Sequence, residues 1–145
     1  MAITFTKYNS FLKGQMNGTA VVDFDTDTFK VALLTSSYIP VQTTHKTWAD
    51  ISDEVTGSNY LPGGSTLTGI TLTESNGVTT FDANDVTWLD SSTGFTNARY
   101  AVLYKSTGVA NTSTLIALLD LSVDKSNVGG DYAIFWHPSG IISWS

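Results

Sequence analysis

Three aspartates alternate at Asp23, Asp25 and Asp27 and run straight into the apolar stretch "TFKVALLTS". Oxygen ligands at alternate positions open a helix-loop-helix calcium loop. That loop continues with a glycine for the sharp turn and a late bidentate glutamate. Thr28 stands where the glycine is needed, and Leu34 where the glutamate is needed. The pattern therefore predicts a polar turn, in which Asp and Thr side chains bond their own backbone and open a strand. "FDANDVTW" gathers Asp82, Asn84 and Asp85. With distant ligands such a group could hold calcium at modest affinity. The simpler reading is a turn or bulge between strands.

The histidines are His45 and His137, and no H-x-x-x-H pair exists. A zinc site would have to draw its ligands from unconnected places. "HPSG" sets Ser139 close to His137, but near neighbours in a turn are poorly placed as base and nucleophile. No G-x-S-x-G elbow appears. "TGSNYLPGGS" is glycine-rich without a lysine or a following helix, so it is not a phosphate loop. Trp48, Trp88, Trp136 and Trp144 would suit a sugar-stacking platform. The large area a tryptophan buries favours core or subunit packing instead. No catalytic group, metal or cofactor is expected from these residues.

The elements that must position them read mostly as strands. "KYNSFLKGQMNG" (7–18) predicts a short helix with Asn9 or Ser10 as its cap and Gly18 as its stop. Phe11, Leu12, Gln15 and Met16 form its amphipathic pattern, and Gly14 weakens it. In "TFKVALLTS" (28–36), Phe29, Val31 and Leu33 share one strand face. Lys30, Ala32 and Leu34 share the other, and its apolar character predicts a strand covered on both sides.

Residues 36–66 read as a long excursion with one helical turn after Thr47, from which Trp48 and Ile51 pack inward. From Leu67 onward short strands follow at regular spacing. Leu67, Ile70 and Leu72 alternate around a bulge at Gly69, and Asn76-Gly77 signals a hairpin. Tyr100, Val102 and Tyr104 share a face of "ARYAVLYKS", and "TLIALLDLS" reads as central. About eight strands without a βαβ rhythm predict one all-β domain over 1–145: an antiparallel β-sandwich, jelly-roll-like, with one short N-terminal helix and a long loop.

The composition narrows the partners. Charged residues make up 14 % of the 145 residues and the net charge is −6. The seven basic residues are scattered, so no patch exists to displace counterions from nucleic acid, and none is expected as a partner. No apolar run approaches the length of a membrane span, so no membrane partner is expected. The absence of cysteine excludes disulfides and thiol chemistry. "MAITFTKYNSFLKG" lacks a basic segment followed by an apolar run, so the expectation is a chain without a signal peptide, made in the cytoplasm.

Several fragments in order carry a resemblance: "KYNSF", "DTFKVALLTSSY", Tyr60 followed by "GGSTLTG", "TFDANDVTW", "ARYAVLYK" and "LIALLDL". Together, over roughly 5–142, they resemble a group of small structural proteins of tailed bacteriophages. The resemblance implies a non-enzymatic virion component made in the host cytoplasm. A capsid decoration (cement) protein is the leading reading, though similar sequences are also labelled tail proteins. The implied partners are the major capsid protein and further copies of the chain, with a trimer suggested by capsid geometry alone. Beside these stand a tail or fibre component and a carbohydrate-binding module. Two segments are expected to dock: Phe5, Tyr8, Phe11 and Leu12 near the N-terminus, and Tyr38, Trp48 and Tyr60 in the long loop.

Overall fold

A computed structural model describes residues 4–145. Along the chain lie β1 (Thr4–Lys7), α1 (Asn9–Asn17), β2 (Phe29–Thr35), β3 (Ser65–Thr66), β4 (Thr71–Ser75), β5 (Val78–Asp82), β6 (Val86–Trp88), β7 (Ala98–Lys105), β8 (Leu115–Lys125), β9 (Tyr132–Ile134) and β10 (Ile142–Trp144). Five strands form one sheet in the order β1-β8-β7-β2-β3. The others form a three-stranded sheet, β10-β5-β4, and a two-stranded one, β6-β9. All pairings among these strands are antiparallel. The chain is an all-β antiparallel sandwich with one short helix.

The large sheet is apolar on both faces, and each face has its own core. On one side Phe29, Val31 and Leu33 of β2 and Leu103 of β7 meet Phe81, Val86, Trp88 and Ile142 from the smaller sheets. On the other side Ala32 and Leu34 of β2 and Val102 and Tyr104 of β7 pack with Tyr8, Tyr38, Leu115 and Leu118. Trp48 and Ile51 lie over that second face. Residues 36–51 thus act as a strap, held by the burial of Tyr38 and the packing of Trp48 and Ile51, and by a single antiparallel bridge of Thr47 to Thr114. Period-two alternation makes this possible, since successive residues of β2 feed opposite cores.

Register shifts interrupt the β2–β7 and β7–β8 ladders, and one of them, inside β8, redirects core residues. Leu103 pairs with Ala117 and Tyr104 with Leu115, so Ile116 is an extra residue in the ladder. This bulge turns both Ile116 and Ala117 into the first core, while Leu115 and Leu118 stay in the second. β8 is an interior strand, but the central place belongs to β7.

Several expectations are corrected by packing. Among the described residues ten strands form rather than about eight. The expected strand through Leu67, Ile70 and Leu72 is split: Gly69 sits at φ +62, Leu67 is buried and Leu72 is exposed. A Cβ at Gly69 would meet the Asn84 amide at 2.5 Å, so the turn depends on glycine. Neither Asn9 nor Ser10 caps α1. The cap position is Tyr8, in extended conformation and with no capping side chain, because its ring is committed to the second core. Gly14 proves to be a contact residue. Its missing Cβ would stand 2.6 Å from the Ala20 Cβ, so glycine lets the next segment close on the helix. The buried helix face is Phe11 and Gly14, while Leu12 and Met16 face outward.

The other local signals match their elements. Gly18 ends α1 at φ +73. Asn76 and Gly77, both at positive φ, join β4 to β5 with Ser75 opposite Val78, the geometry of a tight primed turn. The aspartate segment is a turn closed by its own groups. The Asp27 amide donates to the Asp23 carbonyl at 2.9 Å, and Asp27 Oδ2 accepts from the Asp23 amide at 2.8 Å. Asp23 Oδ1 accepts from the Asp25 amide at 3.0 Å. Lys105 Nζ, 2.8 Å from Asp27 Oδ2, pins the turn to the end of β7. Hydrogen bonds from Thr26 and the Asp25 amide hold the Asp23 carboxyl below its usual range.

Candidate docking surface

The fold separates the seven expected docking residues into three groups. Tyr8 and Phe11 are fully buried, Tyr38 is 2 % exposed and Tyr60 is 7 % exposed. These four are corrected to core residues, because a side chain with no accessible surface offers a partner nothing to bind. Phe5 and Leu12 are exposed. Trp48 is half-buried and stacks on Tyr104, with ring centroids 4.5 Å apart.

The buried tyrosines are tied by their hydroxyls. Tyr8 and Tyr38 share a hydrogen bond of 3.1 Å, and the Tyr38 hydroxyl lies 2.6 Å from His45 Nδ1. The chain of groups runs from the sheet into the strap. Burial is the main force raising the Tyr8 phenol, with its bond to Tyr38 second. Tyr60 donates to Glu54 Oε1 at 2.6 Å and accepts from the Leu33 amide at 3.0 Å. Glu54 Oε1 also accepts from the Gly63 amide at 2.6 Å. These phenols and this carboxylate knit the long loop to β2. That fits a structural role and leaves them spent for chemistry.

The surviving surface candidate is the rim around Phe5. β1 is an edge strand whose four residues are all exposed. It pairs with β8 on one side, Phe5 opposite Leu119. Between this edge and the segment after β9 runs an open groove of about 300 Å³, lined by Phe5, Leu119, Phe135, Trp136 and Ile141 among others. Phe135 is 76 % exposed, the same as Ile39 and Leu61 elsewhere on the surface. Trp136 is anchored there, with its ring N–H donating to the Asn84 carbonyl at 3.1 Å and its amide to Asp85 Oδ1 at 2.8 Å. The Asn84–Asp85 pair thus fixes the wall of the groove.

The remaining candidates resolve into packing. Trp88 is buried and stacks between Tyr60 and Tyr132, and Trp144 packs on Phe11 and Phe24. The tryptophans therefore do not share one flat platform. His137 Nδ1 accepts from the Ser139 amide at 3.0 Å, a turn contact between ring and backbone. Among the described residues no three His, Asp or Glu side chains cluster closely enough to hold a metal ion.

Phe135 was not singled out by the sequence, although a signal was present. In "AIFWH" the inward Ile134 is followed by Phe135 just where β9 ends, so the alternation sends that ring outward. No protein-family model matches the chain, and no curated protein or solved structure matches it.

Proposed function

We propose that the chain is a non-enzymatic structural protein of a tailed-bacteriophage virion, and specifically a capsid decoration protein that binds across neighbouring capsid subunits. The observation that carries this reading is the apolar rim of Phe5, Phe135, Trp136 and Ile141 beside the open edge of β1. A rigid sandwich with both faces of its main sheet covered has little reason to leave such rings in water, and a docking partner supplies one. The ordered resemblance of the sequence fragments supports the same reading. Binding only to the assembled shell would stabilise that shell by mass action. Multiple copies on a symmetric lattice would add avidity. In this reading the major capsid protein is the partner, and the chain acts on the outer surface of the head as an oligomer, with a trimer matching threefold capsid positions.

The test is cosedimentation with undecorated heads of the phage that carries this chain. Saturable binding at a symmetry-related copy number is expected, and Phe5→Ser with Phe135→Ser should abolish it while the melting temperature holds. Recovery of the protein in purified tails, with no binding to heads, would overturn the decoration reading in favour of a tail component.

A further inference from the structure

A second surface feature has opposite chemistry to the apolar rim. Between α1 and the strap lies a cleft of about 480 Å³, with Thr114 in its lining. Lys13 and Lys46 both line it, and no aspartate or glutamate does. This is unexpected in a chain with thirteen acidic residues against seven basic ones. The remaining lining is small residues, hydroxyls and amides.

Neither lysine of the cleft is held in an ion pair among the described residues. Among the described residues the ion pairs are Arg99–Asp120 and Lys105–Asp27, and neither involves the cleft. Asp50 is the acidic group that senses Lys46, but its Oδ2 accepts from the Lys46 and Thr47 amides at 2.8 and 3.0 Å. It is spent on holding the turn. Thr114 adds an independent observation. The residue lines the cleft, and its hydroxyl makes no hydrogen bond among the described residues. That hydroxyl is reached by solvent rather than sealed in the core, so it can donate to a group that enters the cleft.

We propose that this cleft is an oxyanion-binding site, in which the Lys13 and Lys46 ammonium groups and the Thr114 hydroxyl hold a phosphate or carboxylate group. The proposal stands apart from the virion reading, because it needs only the cleft and its donors. Two cations with no carboxylate in the lining supply charge-assisted hydrogen bonds. The hydroxyl lining supplies neutral donors without the desolvation cost of a third charge.

The test is amide-resolved NMR titration of the full chain at low, matched ionic strength, with inorganic phosphate in one arm and glutarate in the other. Saturable shifts are expected at Lys13, Lys46 and Thr114. The tighter arm identifies the source as a tetrahedral phosphate or a carboxylate. Lys13→Gln and Lys46→Gln should each weaken binding about tenfold, the scale of one lost charge-assisted bond. Thr114→Val should weaken it while keeping the fold, and Lys125→Gln, outside the cleft, should leave it unchanged. Linear shifts in both arms, shifts reproduced by sodium chloride alone, or equal weakening by Lys125→Gln would each overturn the proposal.

Discussion

At the residue scale, the polar groups that drew attention in the sequence are consumed by structure. Tyr38 stands between the Tyr8 hydroxyl and His45 Nδ1, so its oxygen serves both. Tyr38→Phe removes that oxygen and leaves the fully buried Tyr8 hydroxyl without a partner. The expected loss is about 1–3 kcal/mol, the usual penalty for an unsatisfied buried group, read from the shift of the urea midpoint at constant slope. A loss near zero would mean that the hydroxyls do not hold the strap. The Asp23–Asp27 turn was legible because Asp and Thr bond locally, and local bonds are written in local sequence. The burial of Tyr8 and Tyr38 was not legible. Both are aromatic and near polar residues, and only pairing across the sheet decides which way such a ring points.

At the element scale, the strap over 36–51 is the informative piece. It lies on the second face of the main sheet with Trp48 stacked on Tyr104 and the Trp48 amide donating to the Ser113 carbonyl at 2.8 Å. Trp48→Ala removes the stacking ring but leaves the first core intact. The expected cost is about 2 kcal/mol, below that of a fully buried tryptophan because the ring is only partly buried. Native-state hydrogen exchange checks this: amides of the strap should exchange faster, and those of β5 should not. β2 and β7 were legible as strands because both faces follow a period of two. The covering of β2 on both sides was legible in the apolar run of Ala32 and Leu34. The inward packing of Trp48 and Ile51 was legible, but the burial of Tyr38 was not, since a segment held by one bridge and a few rings carries no periodicity of its own. The Ile116 bulge was equally hidden, because an extra residue in a ladder shows only when the partner strand is known.

At the scale of the whole molecule, buried phenols set the alkaline limit of stability. Burial pushes Tyr104 and Tyr132 up to about 12, the former helped by the Glu54 charge, and raises Tyr8, Tyr38 and Tyr60 as well. In the unfolded chain a phenol titrates near about 10. Above that pH the unfolded state releases protons that the native state keeps, so the native state binds more protons and stability falls as pH rises. The contribution is whole below about pH 10 and is lost as pH climbs through the folded values. Urea unfolding at about pH 8 and about pH 11 should show a marked drop in midpoint, and Tyr132→Phe should soften it. A flat profile would place these rings in water. The topology has a further consequence, in time rather than in energy. β1 pairs with β8, Thr4 opposite Asp120, so during synthesis β1 waits for a strand that follows β2 to β7 in the chain. The main sheet cannot gain that outer strand until β8 has left the ribosome. Until then the Phe5 edge is a loose end, equally able to join the β8 of a neighbouring copy, so crowding during synthesis favours strand exchange between copies.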